Sequence, residues 1–518
     1  MNRMSGKYIA LPKGVTEKDL DAAIGEFRRV LGPEQVFTDA GHLAPYMKIM
    51  LAVPEAQHAP SAAICPRSVE QIQQVVKICN KHRVPIWPIS TGRNLGYGSA
   101  APATPGQIVM DLRLMNRILH VDPELCTALV EPGVTYQQLY DYIEQRNLPV
   151  WLSCPAPSAI AGPLGNTVDR GVGYTPYGEH FLFSCGMEVV LPNAEVLRTG
   201  MGAVSNSNTW QVFKWGYGPY LDGIFTQSNF GIVTKLGLWL MPRPPAYKPF
   251  VIRYEKESDI VGIVDTLRPL RIAAVIPNAV VIVNTLWDAA PVTKRADFYS
   301  GKGQIPDSAV REIMAAKKLG AWNVYAALYG TPEQVEVNWK IVTQAVAASR
   351  NGDILTAAEV NDSPVFKYRA ELMAGKMTLQ EFSLYNWRGG GGSMWFSPVS
   401  QAKGSETLQQ MALAKSILEK HGFDYVAEFI VGWRDMHHII DLLFDRSDPA
   451  QMTAAHRCYS ELIDEFAKRG YGVYRTNTAF MDKVAGIYGP VMRDVNRKLK
   501  KALDPNGILA PGKSGIAI

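Results

Sequence analysis

The 518 residues are 47% hydrophobic and 19% charged, a globular balance that excludes a disordered chain and leaves room for two or three domains. Lys and Arg number 53 against 48 Asp and Glu, and the resulting charge of +5 is spread without basic runs, which excludes a nucleic-acid arm. Six cysteines at 65, 79, 126, 154, 185 and 458, with no CxxC pair and no His at zinc spacing, read as apolar fillers rather than a metal site.

Met1 to Lys13 lacks the apolar core of a secretory signal, and no stretch reaches the roughly 20 apolar residues of a membrane span. A soluble cytoplasmic chain is expected, with co-export alongside a partner left open. Ser68 and Gln71 make a capping-box pattern before Val69, Ile72, Val76 and Cys79, which share a helical face. Val84 to Ile89 then reads as a buried strand running into the Gly-rich loop Ser90 to Ser99. Ile108 to Leu112 and Ala128 to Glu131 read as strands, and Thr135 with Gln138 caps a helix carrying Leu139, Tyr142 and Ile143. Met187 to Leu191 and Val196 to Thr199 suggest a hairpin about Pro192-Asn193-Ala194. This mixture points to an α+β fold rather than a doubly wound one.

Met241-Pro242-Arg243-Pro244-Pro245 marks a break. Beyond it longer helices are expected, such as Leu408 to His421 and Ala455 to Arg469, with fewer strands. The expected division is 1–245, 246–498, and a Gly/Pro-rich tail, 499–518, that returns to the first part.

Gly507 to Ser514 fits the P-loop pattern letter for letter, but the helix such a loop must feed is missing and Pro511 removes an amide donor, so a triphosphate site is disfavoured. No GxGxxG follows a strand, which disfavours a Rossmann site. Two other loops suit a nucleotide better. In Ser90-Thr91-Gly92-Arg93-Asn94-Leu95-Gly96-Tyr97-Gly98, glycines let amides approach a pyrophosphate while hydroxyls and Arg93 add donors and charge. The second runs from Gly162 through Gly165 to Gly178.

Pro88-Ile-Ser-Thr-Gly-Arg-Asn, Glu131-Pro-Gly-Val, the stretch Gly165 to Gly178 and Asn506 to Gly515 together resemble the vanillyl-alcohol oxidase / p-cresol methylhydroxylase flavoprotein family. The resemblance spans nearly the whole chain. It implies a two-part FAD-binding domain of the p-cresol methylhydroxylase type, 1–245 plus 499–518, with an inserted α+β cap, 246–498. It implies FAD held by Ser90, Thr91, Gly92, Arg93, Asn94, Gly162, Gly165, Asn166, Arg170, Gly173, Tyr174, Gly231, Val233, Arg475 and Lys513. Members that link the flavin through His carry it ahead of a Phe-Ser-Pro-Val-Ser stretch, where this chain has Ser393; Tyr385 resembles the flavin-linking tyrosine instead. The resemblance further implies a homodimer, a c-type cytochrome on a separate chain as electron acceptor, and oxidation of 4-alkylphenols at the benzylic carbon through a quinone methide. An oxygen-using 4-alkylphenol or eugenol-type oxidase of the same fold is the alternative; a flavin-fold module without activity is a rival of another class.

Tyr97, Tyr474 and Arg475 match the family's phenolate-binding trio, and such donors suit the chemistry because a phenolate releases a benzylic hydride more readily than a phenol does. Water addition needs a base. Arg434 to Asp441 reads as a helix on which His437 and Asp441, at i and i+4, share a face while His438 lies about 100° away. Glu381 and Glu428 resemble further active-site carboxylates. Oxidase members have an Asp after the Pro of Cys-Pro; here Cys154-Pro155 is followed by Ala156, which favours the His437 cluster.

Overall fold

Local signals set the first elements. Ser68 caps the helix Val69–His82 by accepting from the Gln71 amide at 3.3 Å, and Ile72, Val75, Val76 and Cys79 form its buried stripe. Gln71 turns its own oxygen to the Arg67 amide, 2.7 Å away, so that box is half formed. At Thr135 both halves close over the helix Tyr136–Gln145. The computed structural model describes residues 7–156, 159–349 and 351–518; residues 1–6 of the N-terminal segment and 157–158 of the Cys-Pro-Ala stretch lie outside the described residues.

The first half supplies a four-stranded sheet in the order Val36–Phe37, Ala63–Ile64, Ile108–Asp111, Ile86–Ile89, with the last three parallel. It also supplies a five-stranded antiparallel sheet, in which Ser184–Val190 and Val196–Arg198 are the expected hairpin. The tail returns to the first sheet: Ile86 N–H donates to the Ile508 carbonyl at 2.8 Å, and Ala510 N–H to the Ile86 carbonyl at 2.7 Å. A buried ion pair, Lys500 Nζ to Asp504 at 2.6 Å, fastens this return, because the same Nζ reaches the carbonyls of Asn229 and Leu509.

Among the described residues strands are fewer beyond residue 245, eight against eleven. They make the largest sheet, eight strands in the order Gly352–Thr356, Ala246–Tyr254, Trp322–Gly330, Val280–Asn284, Ala427–Val431, Asp435–Phe444, Gly392–Phe396, with Val399–Gln401 also on Asp435–Phe444. Several are buried on both faces and so lack the polar alternation that marks a strand in sequence. Arg434 to Asp441, expected as a helix, runs into this sheet as the strand Asp435–Phe444. The two faces of the sheet differ. Phe250, Ile252, Ile282, Val324, Phe429, Ile440 and Leu442 pack with the helices Ile260–Ile272, Pro332–Ser349, Gly404–Lys420 and Pro449–Lys468. The register pairs Val281–Tyr325, Val283–Glu428, Ile439–Glu428 and Asp441–Trp395 put Tyr325, Glu428, Asp441 and Trp395 together on the other face. The large sheet is antiparallel, with four long helices on one face and the shorter helices Thr285–Ala289 and Pro364–Met373 on the other, and this arrangement makes the fold α+β.

Five of the six cysteines are buried and none is in a disulfide. Among the described residues no helix is long and apolar enough to cross a membrane, and no group of three ligating side chains could hold a metal ion.

Candidate active site

The strand Ile86–Ile89 delivers the loop Ser90 to Asn94 to one wall of a cavity, and the helix Pro163–Val168 opens on it through Gly162 and Gly165. Gly231 and Val233 of the second sheet, Arg475, and Leu509, Ala510 and Lys513 of the tail complete the lining, with Asn166 beside Gly165. A side chain at Gly165 would overlap Ser90, so glycine lets the two loops close on each other. Among the described residues the backbone N–H groups of Thr91, Gly92 and Arg93 donate to no protein acceptor, and the buried Oδ1 of Asn229 is also unpartnered. Free amides with Arg93, Arg475 and Lys513 nearby form a cradle for a pyrophosphate, and FAD fits this donor set.

Asp169 organises the mouth of that cavity. It accepts from Lys513 at 2.9 Å and Asn94 at 3.1 Å, and lies 3.8 Å from the Arg475 guanidinium, which also donates to Asn94. The carboxyl is held below its usual range: burial raises it, but Lys513 and Arg475 outweigh that. Three residues expected at the cofactor lie outside the lining of this cavity. Arg170 donates to Thr226 Oγ1 and lines a neighbouring cavity. Gly173 leaves room for His180 and Ser153, and Tyr174 is buried in electrostatic reach of Glu428 and Glu381.

Tyr97, Tyr474 and Arg475, expected to bind a phenolate, do converge. Arg475 lies over the Tyr97 ring at 4.2 Å, and Tyr474 stacks on His437 at 4.4 Å with planes 14° apart. Gly96, at φ 71°, brings this loop against Trp395, which any side chain there would strike. Burial pushes the phenols of Tyr97 and Tyr474 up, so both stay protonated and can donate; Arg475 works against the shift in each. Burial opposes the charge on Arg475 itself, but Tyr97, Asp169 and Tyr474 outweigh it and its pKa rises.

His437 and Asp441 do not pair. Four residues along a strand span about 13 Å, so they share a face without meeting. Asp435, two residues away, is the carboxylate near His437, at 3.4 Å, and His437 Nδ1 has no partner. Burial lowers the His437 pKa, with Asp435 opposing, so the ring is neutral. His438 points to the other face, bonded to Tyr425 at 2.8 Å and Gln410 at 3.2 Å. Asp441 accepts from Ser393, the residue at the position of the family's flavin-linking His, at 2.6 Å. Its second oxygen is unpartnered, and burial pushes the carboxyl up to about 8. Tyr385 is buried in electrostatic reach of Asp441, Glu381 and Tyr97.

Sequence reasoning missed Asp169 as a hub, Ser393 as a donor, Trp395, and the buried Asp288 and Arg369 beside Glu428. Asp169 stood inside the quoted Gly165–Gly178 motif and could have been found as a lone acid between two cavity cations. Asp288 and Arg369 carry no local signal.

A glycine-lined cradle with free amides and flanking cations, closed by the returning tail, defines an FAD-binding oxidoreductase. Residues 60–200 match the FAD binding domain model, and 310–514 match the C-terminal domain of FAD linked oxidases. The chain is 60% identical to the 4-cresol dehydrogenase (hydroxylating) flavoprotein subunit of Pseudomonas putida, over 98% of this chain and 97% of that one. A substrate-bound structure of p-cresol methylhydroxylase superposes with a TM-score of 0.97 at 60% identity, covering 98% of this chain and 99% of that one. The 4-ethylphenol oxidase of Gulosibacter chungangensis, in complex with isoeugenol, does so at 0.96 and 36% identity, over 98% and 99%. The chain belongs to the vanillyl-alcohol oxidase / p-cresol methylhydroxylase flavoprotein family.

Proposed function

We propose that this chain is the flavoprotein of a 4-alkylphenol dehydrogenase of the 4-cresol type, hydroxylating its substrate at the benzylic carbon. The observation that carries this reading is the cation at 475 over Tyr97 and beside Tyr474, at the edge of the cofactor cavity. Tyr97 and Tyr474 donate hydrogen bonds to the phenol oxygen, and Arg475 adds a full positive charge, so the substrate binds as phenolate. FAD in the cavity supplies the acceptor for the benzylic hydride. Loss of hydride from the phenolate leaves a neutral quinone methide, with the phenol oxygen now a carbonyl still held by the three donors. Water adds to the exocyclic carbon; its oxygen forms the new bond, the ring regains aromaticity and the phenolate returns. The released proton goes to the buried carboxylates Glu428 and Glu381, with Asp441 and Tyr385 in electrostatic reach of Glu381. His437 holds Tyr474 by stacking. A second oxidation of the alcohol gives the aldehyde.

The finer assignments belong to the same proposal. Tyr385 tethers the flavin covalently. Residues 1–245 with 499–518 hold FAD, and 246–498 form the cap. Two flavoprotein copies pair, and electrons leave for a c-type cytochrome subunit. Holoenzyme supplied with 4-cresol, 4-ethylphenol, 4-propylphenol and eugenol, each with cytochrome c or with oxygen alone, tests the reading. Fast cytochrome reduction with little hydrogen peroxide is expected. Rapid peroxide formation would point to an oxidase, and turnover of none of these phenols would end the proposal.

A further inference from the structure

Next to the phenolate socket lies a set of ionisable groups on five separate elements. Asp288 comes from the helix Thr285–Ala289, Tyr325 from the strand Trp322–Gly330, and Tyr368 with Arg369 from the helix Pro364–Met373. Glu381 comes from the short 3-10 helix Gln380–Asn386 and Glu428 from the strand Ala427–Val431. All are buried. One guanidinium serves three carboxylates: Arg369 lies 3.5 Å from Asp288 and 3.6 Å from Glu428, with Glu381 in electrostatic reach.

The carboxylates are not equivalent. Asp288 has a second donor, the Tyr325 hydroxyl at 2.8 Å. Neither oxygen of Glu381 or of Glu428 accepts a hydrogen bond of ordinary geometry. Full ionisation would leave a net charge of −2 in a dry interior, which burial forbids. Asp288, the acid with two donors, therefore ionises first, and Glu381 and Glu428 ionise at most one at a time. Burial, opposed by Arg369, pushes Asp288 only to about 6 and Glu428 to about 8. The remaining groups in reach are the phenols Tyr174, Tyr368 and Tyr385, which burial keeps neutral, and Asp441, which lies in reach of Glu381 and whose carboxyl burial also pushes up.

We propose that Asp288 and Arg369 are positioning residues that divide one fixed positive charge between Asp288 and the Glu381–Glu428 pair, so that this pair gives up only one of its two protons and, once singly ionised, receives the proton released when water adds to the substrate. Asp288 draws part of the Arg369 charge away from Glu428 and so keeps the pair basic. The inference rests on the hydroxylating reading above. In the step itself the water oxygen bonds to the exocyclic carbon, its proton moves to the ionised carboxylate, and the methide electron pair returns to the phenol oxygen.

The test is the pH dependence of alcohol formation by the holoenzyme, with flavin bleaching by substrate followed separately. A proton acceptor must be ionised, so the rate rises with pH through the apparent pKa of the pair. Asp288→Asn is nearly isosteric and removes a negative charge behind Arg369, so this acid limb should move to lower pH by half a unit or more. Arg369→Met removes the cation and should move it to higher pH. Opposite displacements cannot come from a loss of packing, which would slow both variants with the limb in place. Should Arg369→Met fail to fold, Asp288→Asn decides alone. If its limb coincides with the parent's while Glu428→Gln loses the limb, the positioning role is wrong and the hydroxylating reading stands. If the limb survives in both Glu428→Gln and Glu381→Gln, the pair is not the acceptor, and that part of the reading falls together with the inference.

Discussion

Replacing Arg475 with methionine keeps much of the stem and removes the cation from above Tyr97. The structure sets the scale of the loss. With a phenolate oxygen about 4 Å from the guanidinium, as the Tyr97 ring is, two unit charges at an effective dielectric constant of 20 interact by about 4 kcal/mol. A net charge-assisted hydrogen bond is worth about 1.5–3 kcal/mol, and the two figures describe one interaction. A loss of roughly 10- to 1,000-fold in kcat/KM follows. Arg475 also donates to Asn94 and flanks Asp169, so turnover must be expressed per bound flavin. The assay is steady-state oxidation of 4-cresol and of ring-fluorinated 4-cresols whose phenols are more acidic. The deficit should shrink as the phenol acidity rises, because an intrinsically acidic substrate needs the cation less. A deficit below threefold, or one equal across all phenols, would refute the argument.

Lys500→Met leaves Asp504 buried with its charge unpaired, at a cost of about 3–5 kcal/mol, and frees the tail that lines the cofactor cavity. Thermal melting should drop and flavin content should fall with it, both read from one purified sample; full flavin retention would contradict the clamp. Asp441→Asn should gain stability over the parent as pH rises. The Asp441 carboxyl is raised from 3.8 to about 8, so its contribution is fully present below pH 4 and declines by about 1.4 kcal/mol per pH unit between 4 and 8. Melting at pH 5 and pH 8 should show a gap that widens at the higher pH. Tyr385→Phe should bind FAD and release it on acid precipitation, whereas the parent's pellet stays yellow; a yellow variant pellet would misplace the tether.

Much of the cofactor side was legible because its chemistry is local. Ser90 to Asn94, Gly162, Gly165 and Lys513 sit in short glycine-rich stretches whose backbone demands show in sequence, and all line one cavity. The caps at Ser68 and Thr135 read for the same reason. The strand Asp435–Phe444 did not, because a spacing of four puts His437 and Asp441 on one face under a period of 3.6 and of 2 alike. Met436, His438, Ile440, Leu442 and Phe444 alternate toward the core, and that run was the available clue. Asp288 and Arg369 are 81 positions apart and meet only because the large sheet brings their elements together, which no local pattern encodes.

That sheet also explains how the fold tolerates its site. Glu381, Glu428 and Asp441 are buried with unpartnered oxygens, an arrangement that destabilises the folded state and that a packed apolar side chain would relieve. The opposite face holds Phe250, Ile282, Val324, Phe429, Ile440 and Leu442 against four helices, and alternation keeps the two sets apart on the same strands. A one-residue slip of Asp435–Phe444 would place Asp441 in that core and Ile440 at the site, so the apolar face fixes the register on which the chemistry depends. Ile440→Asp should therefore abolish folding rather than create a second acid at the site, while Asp441→Leu should fold with raised stability and leave the alcohol-forming step to the Glu381–Glu428 pair. Soluble yield and melting temperature read the first part, and product analysis reads the second. A folded, flavin-bearing Ile440→Asp protein would show that the helix-packed face does not carry the register.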